Sequence, residues 1–230
     1  TWQFGGLEKV AWVRILVLET EQPVSTLGDR VLWSGMKPEE YHQYITQPRT
    51  AGAEFGFFDW QDSPTLSKIT NPSTGAGNLR MLGRLCLFHP RTYTNLRMRV
   101  TRDIAALQQL TPQKIADEMG DPNLSVNIHT DTVVYVVGTL CGGTCSGGAA
   151  DLGYLLDVWT NSSVNRQAIF TIAHPGVARS EGPRYKKNCY YALKELNHYQ
   201  LSENPWVQRL PGYGEPFVRQ TVPYDILRVV

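Results

Sequence analysis

The residues best suited to bind a ligand form a loop of small side chains from Cys141 to Gly148. The loop follows an apolar run, Val133 to Leu140, and precedes a stretch that predicts a helix from about Gly148 to Trp159. Small side chains let backbone N–H groups approach an anion closely, and glycine tolerates the positive φ angles that direct successive N–H groups at one point. The helix would add unpaired N–H groups and the positive end of its dipole. The segment therefore predicts a phosphate-binding turn.

Other interpretations of this loop stay open from the residues alone. It can be a plain strand-to-helix turn whose small residues serve packing. No lysine follows its glycines, so it is not a Walker loop, and the glycine spacing does not fit the Rossmann fingerprint. Cys141 and Cys145 are separated by three residues, which is a poor spacing for zinc or redox chemistry, and no second Cys/His pair lies nearby.

Three stretches, taken in chain order, resemble one family. The run from Cys141 to Gly147 reads C-G-G-T-C-S-G and resembles the tubulin/FtsZ signature G-G-G-T-G-S-G, with cysteine at its first and fifth positions. Gly75 to Asn78, G-A-G-N, looks like the loop that touches the terminal phosphate in tubulin-like proteins. The run from Lys187 to Asn197 is similar to the helix that carries a base-recognising asparagine. The resemblance is greatest to the large bacterial tubulin-like proteins.

The resemblance implies GTP or GDP as the ligand, with Mg²⁺ as its companion ion and no metal-ligating side chains assigned. The implied phosphate-binding residues are Gly142, Gly143, Thr144, Cys145, Ser146 and Gly147 around the diphosphate, and Gly75, Ala76, Gly77 and Asn78 at the terminal phosphate. Asn188 would read the base edge, and Thr20 and Glu181 would lie near the ribose. Because both loops should leave the carboxyl ends of parallel strands, we expect them to meet at one crevice.

The same resemblance sets expectations for activity and assembly. The chain begins without methionine and ends within a predicted strand, so we expect residues 1–230 to be a single nucleotide-binding domain from a longer protein. The family's acidic loop for hydrolysis would follow Val230. GTPase activity is therefore expected only of a longer, assembled protein, through head-to-tail self-association into filaments.

Two alternatives come from other functional classes. If Cys145 stood where the family's glycine takes a positive φ, its β-carbon would cost on the order of 1 kcal/mol and narrow the phosphate cradle. The chain could then be a scaffold that kept the fold and lost nucleotide binding. The second alternative is a Rossmann-like enzyme that uses an adenine nucleotide, with Glu19 as its acidic residue.

Composition narrows the partners. The 22 basic and 21 acidic residues nearly cancel, so no broad field for nucleic acid or an anionic membrane is expected. The longest apolar stretch is too short to span a bilayer. Four cysteines, at positions 86, 141, 145 and 189, form no disulfide framework, which favours a cytoplasmic protein with reduced thiols.

The elements that must position these residues alternate between strand and helix. Strands are predicted at 13–18, 132–140, 168–173 and 224–230, and helices at 79–89, 92–110, 148–159 and 185–199. Such alternation predicts an α/β fold, a mostly parallel Rossmann-like sheet with helices on both faces.

Overall fold

The computed structural model describes residues 12–21, 30–46, 75–120, 123, 131–172 and 182–230. Within them the strands are β1 (Val17–Glu19), β2 (Val31–Trp33), β3 (Thr132–Thr139), β4 (Val164–Thr171), β5 (Trp206–Gln208), β6 (Phe217–Arg219) and β7 (Ile226–Val229). The helices there are α1 (Pro38–Thr46), α2 (Arg80–Phe88), α3 (Pro90–Gln108), α4 (Pro112–Glu118), α5 (Gly143–Thr160) and α6 (Pro183–Gln200). None of the described helices is long and apolar enough to cross a membrane.

Three parallel strands, β3, β4 and β7, form the largest described sheet, with β4 in the centre. Parallel neighbours cannot be joined by a tight turn, so α5 connects β3 to β4, and α6 follows β4 before the chain reaches β7. β1 and β2 form a second parallel pair, and β5 and β6 form an antiparallel pair. The predicted α/β class with parallel strands is confirmed.

The strands of the sheet show which of its faces is packed. Along β3, burial alternates with a period of two: Val134 and Val136 pack into the core, whereas Tyr135 and Val137 on the opposite face are 56% and 68% exposed. On β4, Ala168 and Phe170 belong to the buried face. Helix α5 packs on this buried face.

Helix α5 lies at the centre of the core. Most of its residues are buried, as expected of a helix that is apolar or small all round. Tyr154 stacks on Trp206 with ring centroids 4.9 Å apart, and Trp159 contacts Tyr93 of α3. Neighbouring elements therefore surround the second half of α5.

Glycines allow α2 to press directly on the first turns of α5. A β-carbon at Gly83 would collide with the carbonyl of Gly143, and one at Gly147 would collide with the carbonyl of Arg80. The two helices thus approach more closely than larger side chains would allow. Two of the signature's glycines, Gly143 and Gly147, therefore serve helix packing as well.

Several boundaries differ from those predicted. α5 begins at Gly143 rather than near Gly148, because hydrophobic periodicity cannot detect a helical turn made of small residues. β4 begins at Val164, four residues before the predicted start at Ala168, because its polar residues pair with β3 along the whole strand.

Candidate functional site

The signature residues form the first turns of α5 rather than an irregular loop. Gly142 is the N-cap residue and offers no side-chain cap, so capping is left to other groups. The N–H of Gly143 donates to the carbonyl of Gly77 at 2.5 Å, and the hydroxyl of Ser146 donates back to the carbonyl of Gly142. The N–H groups of a first helical turn have no partner within the helix. This end of α5 therefore carries the donors that an anion needs.

The expected positive φ angles are absent from residues 141–148. Asn161 and Ser162 are the two non-glycine residues with positive φ among those described, and no glycine of this segment has one. Cys145 lies in the helix, so the backbone strain considered for it does not arise. The predicted mechanism is corrected here: a helix N-terminus, and not a run of left-handed glycines, presents the N–H groups.

Cys145 is accommodated because β3 has a glycine opposite it. A β-carbon at Gly138 would lie 2.6 Å from the sulfur of Cys145 and 3.3 Å from its β-carbon. The thiol thus occupies the space beside Gly138, and the sheet receives it. Burial raises the pKa of Cys145 to about 12, so its thiol stays protonated and acts as packing.

The second loop, residues 75–78, does use left-handed glycines. Gly75 has a φ of +89° and Gly77 a φ of +49°, which L side chains rarely adopt. A backbone hydrogen bond from Leu79 to the carbonyl of Ala76, at 2.8 Å, closes the turn just before α2. Asn78 is half-buried and Gly77 is exposed, so the tip of this loop faces solvent.

The structure brings the two loops into direct contact, with Thr20 between them. The hydroxyl of Thr20 lies 2.7 Å from that of Thr144 and accepts a hydrogen bond from the N–H of Ala76 at 3.0 Å. Thr20 is buried and comes directly after β1. Its observed contacts are therefore with both loops. Glu181 lies outside the described residues.

Asn188 joins the same two loops from α6. Its side-chain nitrogen donates to the carbonyl of Cys141 at 2.8 Å and to that of Asn78 at 3.1 Å, and the residue is 5% exposed. An amide nitrogen carries two hydrogens, and both are used here on backbone carbonyls. The arrangement makes Asn188 a tie between the loops, a role that the sequence did not suggest.

Two arginines of α2, which the sequence analysis did not assign to the site, secure α5. Arg80 donates to the carbonyl of Ser146 at 2.9 Å and forms an ion pair with Glu195 of α6. Arg84 pairs with the buried carboxylate of Asp151 at 2.7 Å. Burial raises the pKa of Glu195, an effect that the neighbouring arginines partly offset. The only sequence signal for Arg80 and Arg84 was their place in the helix after the G-A-G-N loop.

Metal ligands and cavities add little to this site. In the part of the chain that the structure describes, no group of three or more His, Cys, Asp or Glu residues is arranged to hold a metal ion. A surface groove of about 370 Å³ lined by residues 213–219 contains no residue of either loop. The contact between the loops is therefore the candidate site.

One of three comparisons with known proteins identifies a family. A family model described as tubulin-like matches residues 19–228, which include both loops and α6. Searches of curated proteins and of solved structures returned no match. The family match confirms the resemblance to tubulin-like proteins, and the greater likeness to the large bacterial ones stays a prediction.

Proposed function

The chain belongs to the tubulin-like family, and we propose that it binds a guanine nucleotide, GTP or GDP, where its two glycine-rich loops meet. The diphosphate would lie at the N-terminus of α5 and the terminal phosphate beside residues 75–78. The observation that carries the proposal is the hydrogen bond from Gly143 to Gly77. It brings a helix N-terminus and a loop of left-handed glycines to one point, where both can offer N–H groups to the same anion.

A phosphate at this point would use donors that the loops now direct at each other. The Gly143 N–H would turn from the carbonyl of Gly77 to a phosphate oxygen. The remaining N–H groups of the first turn would also donate to the phosphate. The positive end of the α5 dipole would add about 0.3–1 kcal/mol at an exposed position. The hydroxyl of Thr144, now 2.7 Å from that of Thr20, is a further donor.

The choice of guanine is carried by the family resemblance. Asn188 at the base, and Thr20 and Glu181 near the ribose, stay predictions. To pair with guanine, the Asn188 amide would have to release at least one carbonyl that it now binds. Mg²⁺ would be held mainly by phosphate oxygens and water, because it takes only one or two carboxylates in such sites. Glu21, whose side chain packs against Gly75, is a suitable carboxylate.

The assembly is also part of the proposal. The resemblance implies a bacterial, cytoplasmic protein that stacks head to tail, with no nucleic-acid partner, and that hydrolyses GTP with help from a neighbouring subunit. A heterologous contact of this kind does not close on itself and so produces filaments. No residue of this chain is assigned to the hydrolysis step.

One observation favours a second candidate, a tubulin-fold scaffold without nucleotide. The Gly143 N–H and both amide hydrogens of Asn188 are already satisfied within the protein, so the contact is complete without a ligand. A loop that must exchange internal hydrogen bonds for a phosphate binds it less tightly than an open one.

Calorimetric titration of GTP, GDP and ATP against the protein and its Gly142→Ala variant tests the proposal. A β-carbon at Gly142 would meet only the carbonyl oxygen of Gly77, at 3.8 Å, so the fold should accept it while a phosphate is kept away. We expect GTP affinity to fall roughly 10- to 100-fold, the loss of a charged hydrogen bond of about 1.5–3 kcal/mol. Gly214→Ala is the matched control, because a β-carbon there meets nothing within 4 Å.

The outcomes separate the two candidates. Binding of GTP and GDP over ATP, weakened at Gly142 and not at Gly214, supports the nucleotide site. No binding of any of the three by the folded protein supports the scaffold. Equal affinities for the two variants would show that the phosphates do not lie at the N-terminus of α5.

A further inference from the structure

Two thiols meet directly beneath the contact between the loops. The sulfur atoms of Cys141 and Cys189 are 2.8 Å apart, and either thiol can be the hydrogen-bond donor. This is closer than non-bonded sulfur atoms normally lie. The residues are 48 positions apart in the chain, so the fold and not local sequence brings them together. A disulfide bond is about 2.0 Å long, so the two sulfur atoms need to approach by less than about 1 Å to form one.

The surroundings hold both thiols in register. Cys189 directly follows Asn188, whose amide donates a hydrogen bond to the backbone carbonyl of Cys141. This bond holds α6 against the loop next to the two sulfur atoms. Tyr185, one turn earlier on α6, hydrogen-bonds the Cys141 thiol, which is the main cause that raises the pKa of this tyrosine. Cys141, Cys189 and Tyr185 belong to one packed cluster. Little movement is therefore needed to join the sulfur atoms.

We propose that Cys141 and Cys189 are a redox site: they form a reversible disulfide that fixes the first glycine-rich loop to α6. Hydrogen peroxide is a suitable oxidant because it is small, and Cys189, which is 7% exposed, is more accessible to it than the fully buried Cys141. The Cys189 sulfur attacks one peroxide oxygen and the O–O bond breaks. The departing hydroxide takes the thiol proton and leaves as water, and Cys189 becomes a sulfenic acid. The Cys141 sulfur then attacks the Cys189 sulfur, the S–O bond breaks, and a second water carries away the remaining oxygen. Two thiols are oxidised and one peroxide is reduced.

The remaining cysteines are poorly placed for this reaction. Burial raises the pKa of Cys86 and of Cys145 to about 12, so neither is expected to supply a thiolate near neutral pH. Cys86 lies in the other core cluster, which contains neither member of the pair. Selectivity for Cys141 and Cys189 therefore rests on the direct contact between their sulfur atoms.

The disulfide would act on the phosphate donors. To bind phosphate, the Gly143 N–H has to leave the carbonyl of Gly77, and the loop has to shift as a unit. A covalent bond at Cys141, two residues before Gly143, restrains that shift. We expect nucleotide affinity to fall roughly 5- to 150-fold on oxidation, the range of typical coupling between two events in one protein. This last step rests on the proposed function, whereas the disulfide and its restraint of the loop do not.

Peptide mapping of the peroxide-treated, folded protein tests the bond. Remaining thiols are alkylated, and a tryptic digest under non-reducing conditions should contain the peptide 188–194 linked to the peptide 115–166, which holds both Cys141 and Cys145. Fragmentation of the linked pair by tandem mass spectrometry should place the bond on Cys141. Dithiothreitol should release it. Hydrogen exchange of the amides of residues 142–147 should slow in the oxidised protein. Cys189→Ser should abolish the link and the slowing, and Cys86→Ser, the matched control, should keep both.

Each result decides a separate step. Absence of the linked peptide, a bond from Cys189 to Cys145, or a link between Cys141 and Cys145 overturns the inference. A link that leaves loop exchange unchanged overturns the restraint. If the reduced protein binds GTP and the oxidised protein binds it equally well, the regulatory consequence is wrong. If the reduced protein binds no GTP while the link forms and slows exchange, the proposed function fails and the redox site stands.

Discussion

Replacing Asn188 by alanine should show that this residue holds the two loops together. The change removes one donor from the carbonyl of Cys141 and one from that of Asn78, at a residue that is 5% exposed. Each bond contributes about 0.5–1.5 kcal/mol net, so we expect the free energy of unfolding to fall by roughly 1–3 kcal/mol. The loops should stay in contact, because the bonds of Gly143 and Thr20 do not involve Asn188.

Asn188→Asp is a sharper change because it keeps the shape, removes the two donors and puts an ionisable carboxyl in their place. A carboxylate would face two carbonyl oxygens, so the folded state should raise the pKa of the new acid above the ordinary value of about 3.9. The folded state then holds its proton more tightly than the unfolded state does. The contribution of the protonated carboxyl to stability is fully present below about pH 4 and is lost as the pH rises through the raised pKa. This variant should therefore be less stable at pH 7 than at mildly acidic pH, relative to the wild type.

Urea unfolding measures both variants, and Asn197 supplies the controls. Asn197 lies on the same helix and is exposed, so Asn197→Ala and Asn197→Asp repeat each change without the loop contacts. Exposed substitutions normally stay within about 0.5 kcal/mol of the wild type. If Asn188→Ala falls within that range of Asn197→Ala, the amide does not hold the loops and the reasoning is refuted.

Nucleotide binding by the same variants separates the two roles considered for Asn188. A residue that positions both loops should, when replaced, weaken GTP and ATP equally and lower the free energy of unfolding. A residue that reads the base should lower the preference for GTP over ATP and leave stability unchanged.

Two further predictions concern packing and pH. Gly138→Ala should lower the free energy of unfolding by about 1–3 kcal/mol through overpacking against Cys145, and adding Cys145→Ala should recover at least about 0.5 kcal/mol of coupling in a double-mutant cycle. Strictly additive effects in urea unfolding would contradict this contact. Burial lowers the pKa of His89, so below about pH 6.5 the unfolded state binds a proton that the folded state resists, and stability should fall as the pH drops from 7 to 5. The fall should be smaller in His89→Gln, and an unchanged slope by pH-dependent unfolding would rule His89 out as its source.

Much of the fold followed from local patterns. The helices at 80–88 and 183–200 and the strand at 132–139 lie within two residues of their predicted bounds, because their apolar periodicity is strong. The β5–β6 pair was not predicted, since it lies in a region rich in proline and glycine where pairing depends on distant residues. Residues 75–78 form the predicted loop, in which Gly75 and Gly77 take left-handed φ. Most of the predicted loop 141–148 is instead helical, and Gly147, like Gly83, lets two helices approach.

The sequence by itself determined the family, the alternation of the main strands and helices, and the two glycine-rich segments that the family match later covered. These properties reside in short runs of residue types, which can be read without knowing what lies nearby. Only the tertiary structure decided that α5 begins at Gly143, that Asn188 binds two backbone carbonyls, and that Cys141 meets Cys189. The contacts of Asn188 and the pair Cys141–Cys189 join residues about 50 or more positions apart. The carbonyls that Asn188 binds are common to every amino acid. A hydrogen bond to the backbone therefore leaves no mark on the partner's identity, and only folding reveals it.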